Sequence, residues 1–442
     1  RLEVKVTNPD VYLDDIIKLT NSWSETFACG DLSDHIAISL EGSDAWAMDR
    51  MALEGKYTDL NELRKLTEES IGTVKIPMEY TVAYNRPGGT RLLASFTLYY
   101  CPPEPTAVTR NMVQGTDTYV DENGETVTWT PDESGTLEIP KFIKNSTQNG
   151  RLCRVTQLGT GMEADGEGKI DNIGRGVFSQ RNDLKHVIIP EGVTAIGMYA
   201  FNECKALETV VLPDGVTSMD HGAFRQCSLL KEMQIRGAAN NVAGAINLPA
   251  KLTALSPFAF YYCSVLEKVI IPEGVTVIGE YAFYSCKKLK EIIIPKGVTV
   301  IADGVFSSCV SLETVEISDD IEKIGINGFW GCGKLTEMKV HGRDCEEDVI
   351  TLPSKLTELG NYAFENCAAF TKVTIPNGVT SIEERAFFNC KNFKEMKVQG
   401  VENVEGAFNL PGELKTLGDA AFYSCYALTK VIIPEGVTTI GA

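Results

Sequence analysis

The chain has little of what most hydrolases, metalloenzymes and nucleic-acid binders need. Histidine occurs four times in 442 residues, at 35, 186, 221 and 341, and none of the four sits in a metalloprotease or hydrolase signature. Positive charge is in deficit: 41 Lys and Arg face 60 Asp and Glu, a formal net charge of -19. That is the wrong sign for coating a phosphate backbone or an anionic bilayer, so nucleic acid is not expected as a partner. No apolar run approaches the roughly 18 residues of a membrane span. The chain opens at Arg1 with neither an initiator Met nor a signal-like segment, as expected of a trimmed mature fragment. Extensive disorder is excluded by contents of 43% hydrophobic and 23% charged residues, which are ordinary for folded chains.

What the sequence does have is a period. Phenylalanine falls at 178, 201, 224, 260, 283, 306, 329, 364, 387 and 422, and six of the nine intervals are 23 residues. The other three are 36, 35 and 35, one period plus an insert of 13 or 12. A fixed period of this length with Leu-x-x-Val-x-Ile at its heart marks a leucine-rich repeat solenoid, whose units bury their apolar sides only by stacking. Within one unit, residues 289–294 are expected to form a short strand with Leu289, Ile292 and Ile294 turned inward. Pro295 should end it, because proline has no amide to continue a ladder, and Lys296-Gly297 supplies turn residues. Val298 and Ile301 then re-enter the core on a second wall. About ten such units, strands in parallel at ~4.8 Å, predict a mainly β, curved rod with a long concave face.

The same period places nine of the 13 cysteines three residues after a repeat Phe: 204, 227, 263, 286, 309, 332, 367, 390 and 425. Zinc needs convergent ligands, whereas these come one per unit, with no Cys-x-x-Cys among them. A disulfide ladder is conceivable at unit spacing, but the side chains should all point one way and their number is odd. Buried free thiols acting as small apolar fillers are the expectation. The first unit has Arg181 at this position. The three inserts each follow Glu-Met, carry Gly237, Gly342 or Gly400 and end in Leu-Pro. They read as lengthened strand-to-turn connections, either binding elements or inert elaborations of an edge.

The unit A-F-x-x-C-x-x-L-x-x-V-x-I-P-x-G-V-T-x-I-G resembles the BspA-type leucine-rich repeat of bacterial surface proteins, close to the spirochaetal variety. Residues 281–301 and 421–441 match it almost letter by letter, and the resemblance covers roughly residues 136–442. It departs at Phe370 and Phe393 in the Leu position, at Arg181 and at the inserts. The resemblance implies a secreted or surface-anchored protein that adheres to host or neighbouring-cell extracellular proteins, with no catalytic residue and no cofactor.

Three regions follow from this pattern. Residues 136–442 form the solenoid, opening with a degenerate unit read from Leu137, Ile139, Val155, Ile170 and Ile173-Gly174. Residues 105–135 hold a linker and a hairpin around Glu122-Asn123-Gly124, whose Asn-Gly suits a tight turn. That hairpin should cover the apolar end of the first unit. Residues 1–104 form a β-rich domain that resembles bacterial Ig-like domains, with a hairpin from residues 75–83 and 92–100 and one departing helix over 58–70. Pro102-Pro103-Glu104-Pro105 marks the boundary.

Two motifs fail on inspection. The segment 159–164 fits a dinucleotide fingerprint in letters but lacks the strand before and the helix after. Residues 163–174 imitate a calcium loop, yet Gly174 stands where the bidentate carboxylate belongs, and a solvated loop is the reading preferred. The credible site is the concave strand face, where outward positions carry Ile188, Val211, Ile270 and Ile293 in one row and His186, Lys268 and Glu291 in a second. Aliphatic patches mixed with both signs of charge suit protein recognition, although strand propensity alone would also favour β-branched residues there. The leading expectation is a non-enzymatic extracellular protein-binding module. The alternatives are a structural spacer, or carbohydrate binding or hydrolysis by the front domain through Trp23, Trp46, Asp44 and Asp49.

Overall fold

The computed structural model describes residues 176–442 without a break and, before them, 13 strands with short adjoining stretches. Two compact units result. One comprises residues 1–106, 120–127 and 142–155, the other residues 107–119, 128–141 and 156–442. Among the described residues there is no α-helix. The expected helix at 58–70, the calcium-like loop, Trp23, Trp46, Asp44 and Asp49 all lie outside the described residues.

In the first unit, strands Leu2–Val6, Ile36–Leu40 and Thr26–Ala28 form an antiparallel sheet with the middle one central. A second sheet runs in the order Val11–Leu13, Gly89–Tyr100, Ile76–Arg86, Met51–Gly55. The expected hairpin is present and its strands run further than read, with Arg86 paired to Gly89.

The second unit is the solenoid. The turn that begins at Phe283 shows how the sequence builds it. Leu289 is fully buried, and in strand Glu291–Ile293 the central Ile292 points inward while Glu291 and Ile293 face out. Alternation follows from the strand's two-residue period. Ile294 is buried beyond it, and the Pro295 carbonyl then accepts from Val298 N–H at 3.1 Å, which closes the turn. Strand Val300–Ile301 makes the second wall, with Ile301 inward. Each element pairs in parallel with its copy 23 residues on: Ile292 with Val315, Ile301 with Ile324. The core expected from the period is therefore the core observed.

On the third side, the Phe turns bond rung to rung through alternate amides. Tyr281 N–H donates to Asp303 O, Phe283 to Val305 O and Ser285 to Ser307 O, all within 3.0 Å. The repeat Phe rings stack along the axis nearly parallel, for example Phe283 on Phe306 at 5.8 Å and 1°. All are buried up to Phe387, and Phe422 on the last rung is half-buried. The nine cysteines are free and buried. They are more than fillers: each Sγ–H points at the carbonyl of the Phe one rung earlier, as in Cys286 to Phe260 at 3.3 Å and Cys309 to Phe283 at 3.1 Å. A thiol is a weak donor, but here it meets an acceptor that no water can reach.

The hairpin before the solenoid is present as strands Thr118–Val120 and Thr126–Thr128. Trp129, fully buried, sets its ring edge-on to Phe178 at 5.8 Å and so ends the Phe stack. Arg181, in place of the first cysteine, donates to the Trp129 carbonyl at 2.6 Å and pairs with Asp183. The first unit begins as expected, with Leu137 beside Val187. Its second wall differs from the reading. Leu158 pairs beside Ile196 and Gly159 follows it, so the place assigned to Ile173-Gly174 is already filled, because strand Arg151–Leu158 runs straight into the ladder.

The inserts also differ from the reading. Each one adds a complete extra strand to the first wall: Ile246–Asn247 between Met233 and Val269, Ile350–Thr351 between Met338 and Val373, and Phe408–Asn409 between Met396 and Val431. The physical reason lies in their apolar pattern. Ile246 and Leu248 repeat the inward Val-x-Ile positions, and both are buried. An extended connection would leave that surface in water.

Candidate protein-binding face

The outward positions of the first wall form two rows, each crossing from one parallel sheet to the next between Ile270 and Ile293, where only the isolated Lys268–Glu291 bridge joins the strands. One runs Ile188, Val211, Gln234, then the insert residue Asn247, then Ile270. It continues through Ile293, Glu316 and Lys339. Ile293 is 55% exposed, while Ile188, Val211 and Ile270 are half-buried. The predicted aliphatic anchor is therefore two separate pairs. The polar Gln234 and Asn247 rungs lie between them, so Val211 and Ile270 stand three strand spacings apart, roughly 14 Å.

The second row is largely spent on itself. His186 Nδ1 meets the Thr209 hydroxyl at 2.7 Å. Lys268 pairs with Glu291 on the next strand at 2.5 Å, both side chains about half exposed. An exposed pair of this kind contributes little to stability, but it neutralises two of the charges expected to face a partner.

The insert loops lie on this same face. Asn247 occupies an outward register position, yet it is only 5% exposed. Its amide donates to the carbonyls of Met233 and Val242 and its oxygen accepts from Val242 N–H, all within 3.0 Å. Asn409 brackets the third insert in the same way, bonding Met396, Val404 and Ala407. A second amide, Asn241 or Asn403, accepts from Ile235 or Val398 at the mouth of each loop. The middle insert has Cys345 and Thr351 at these two places: Cys345 Sγ accepts from Val340 N–H at 3.5 Å, and ion pairs add to the hold, Arg343 with Asp319 at 3.3 Å and Lys397 with Glu346 at 3.1 Å. His341 joins it, with Nδ1 2.8 Å from Glu316 and Nε2 2.8 Å from the Ile294 carbonyl. The loops thus divide the face into segments. Sequence reasoning missed these brackets, although the recurrence of Asn at matching insert positions was the available signal.

No group of three or more potential metal ligands converges among the described residues. Burial holds the repeat thiols protonated: Cys204 is pushed up to about 12, and Cys227, Cys286, Cys309 and Cys332 well above the ordinary thiol value. They are unsuited to nucleophilic chemistry, which needs the thiolate.

A stack of 23-residue β-turns-and-strands with outward-facing ladders and no helix is a leucine-rich repeat solenoid. More particularly, the BspA type leucine rich repeat region matches the chain in six copies, over residues 165–243, 240–347 and 343–442. The chain belongs to that family. Solved structures to which it is similar include a leucine-rich repeat protein of Bacteroides ovatus, 22% identical over 73% of this chain and 88% of that one, TM-score 0.42. The leucine-rich repeat protein of T. pallidum is 23% identical over 49% of this chain and 86% of its own, TM-score 0.35. A leucine-rich cell surface protein of Faecalibacterium prausnitzii is 20% identical over 71% and 92%, TM-score 0.31. No curated protein matches the chain. It is a leucine-rich repeat module of the bacterial surface type, a fold that is generally non-enzymatic and generally mediates protein contacts. No helix of the described residues is long and apolar enough to cross a membrane.

Proposed function

We propose that the chain is an extracellular, adhesin-like protein-binding module of a bacterial surface protein, which engages host or neighbouring-cell proteins through the first wall of the solenoid, with residues 1–104 and 105–135 serving as a separate front domain and a cap. The observation that supports it best is Ile293, a large aliphatic side chain left 55% exposed beside Ile270, where the strand Val269–Ile270 that ends one parallel sheet meets the strand Glu291–Ile293 that begins the next. Exposed apolar residues that form a contiguous strip on a rigid scaffold suit recognition. Ile188 and Val211, with His186 alongside, form a second contact beyond the first insert loop, and Lys268 and Glu291 set the polar rim. An unidentified partner is captured from extracellular protein extracts on the immobilised chain and identified by mass spectrometry. It is then titrated against wild type and the Ile270→Asp/Ile293→Asp variant, with circular dichroism as the folding control. A loss of affinity of tenfold or more is expected, since burying an apolar anchor is replaced by stranding a charge. Unchanged affinity in a folded variant refutes the assignment to this face.

A further inference from the structure

On the Phe-turn side of the solenoid, away from the strand face, aromatic rings gather into an exposed block. Tyr199 meets His221 at 5.1 Å, His221 meets Phe258 at 5.0 Å and Phe258 stacks on Tyr281 at 5.2 Å and 17°. A parallel column stacks Tyr261 on Tyr284 at 4.8 Å and 13°, with Tyr262 tilted beside both. Tyr262 is 37% exposed and the others are half-buried. The corresponding places on the first rung hold Gly176, Ser179 and Gln180, so stacking of the solenoid does not require aromatics here.

The orientation of the rings restricts what the block can take. Both faces of Tyr261 are occupied, one by the Arg225 guanidinium at 5.2 Å from the centroid and the other by Tyr284. Tyr281 lies between Phe258 and Gly304, where an added Cβ would come within 2.3 Å of its Cε1. Gly222 makes the same room for Tyr199. With both faces covered, Tyr261 and Tyr281 leave their edges and hydroxyls for contact. Among the described residues no hydrogen bond engages the hydroxyls of Tyr199, Tyr261, Tyr262, Tyr281 or Tyr284. Sugar rings stack on aromatic faces, and those of Tyr261 and Tyr281 are taken. A polyproline II segment has the complementary features. Its backbone carbonyls have no internal partners, its prolines lack N–H donors, and its grooves fit an aromatic-ridged surface. Its turn of roughly 9 Å spans two ring intervals of the columns.

We infer that the Tyr199, His221, Phe258, Tyr261, Tyr262, Tyr281 and Tyr284 block is a second binding surface, for a proline-rich extended segment of another polypeptide, with tyrosine hydroxyls donating to its carbonyls. This is independent of the strand face. The test is calorimetric titration of the full chain with a deca-proline peptide, a Gly-Ser decapeptide and a neutral hexasaccharide. The deca-proline is expected to bind and the Gly-Ser peptide not to. The Tyr261→Phe/Tyr284→Phe variant, which keeps the stacking and removes two donors, is expected to weaken binding at least fivefold. Absence of deca-proline binding at millimolar concentration, equal affinity in the Phe variant, or preferential binding of the saccharide overturns the inference.

Discussion

The thiol ladder makes the stability of the solenoid steeply sensitive to alkali. Desolvation raises the folded-state value of every repeat cysteine above the ordinary 9.0, to about 12 for Cys204 and Cys425. The same cause raises Cys227, Cys263, Cys286, Cys309, Cys332, Cys367 and Cys390. A group whose folded value is raised stabilises the fold fully below its unfolded value. That stabilisation is lost as pH climbs toward the folded value, because the unfolded chain sheds protons the folded one retains. At pH 10, one unit above the ordinary value, a thiol whose folded value is about 12 costs about 1.4 kcal/mol, so Cys204 and Cys425 together cost about 3 kcal/mol and the other raised thiols act in the same direction. Urea midpoints followed by circular dichroism are expected to hold steady from pH 7 to 8.5 and collapse between pH 9 and 10.5. Tyrosines and lysines titrate in the same window, so the decisive sample is a Cys286→Ala/Cys309→Ala/Cys332→Ala variant. Removing three of the nine protons should reduce the thiol part of the slope by a third. If the slope of the triple variant equals that of wild type, the thiols are not releasing protons on unfolding. The reasoning then fails, as it would if the cysteines were disulfide-bonded.

Asn247→Ala removes the amide that brackets the first insert, with its bonds to the Met233 and Val242 carbonyls and from Val242 N–H, so a loss of about 2 kcal/mol and proteolytic cleavage within residues 238–244 are expected; an uncut loop would show that the bracket holds nothing. The middle insert, held by exposed ion pairs, should become protease-sensitive at 1 M salt while the Asn-bracketed inserts do not, and equal sensitivity of all three would contradict the contrast. Phe306→Ala empties a fully buried site between two stacked rings and should cost about 3–5 kcal/mol. Phe422→Ala, at the half-buried last rung, should cost clearly less, and equal urea midpoints for the two variants would deny the stack its assigned part.

Period and residue type alone determined the solenoid. A 23-residue repeat permits one stacking register, because any slip would expose Ile292 and Ile301 and bury Glu291, so the inward set, the parallel pairing and the buried thiols were all legible. Tertiary structure decided the rest, and in each case through contacts that sequence distance hides. Leu158 took the place read for Ile173 because a neighbouring strand reached the ladder first. The inserts became extra strands because Ile246, Ile350 and Phe408 could be buried only against the wall. The first of those strands put Asn247 beside Gln234 and so widened the gap between Val211 and Ile270, and Lys268 and Glu291 found each other on neighbouring strands. The tyrosine block arises only when residues 199, 221, 258 and 281 are wound onto successive rungs, since nothing local in the chain sets one ring on the next.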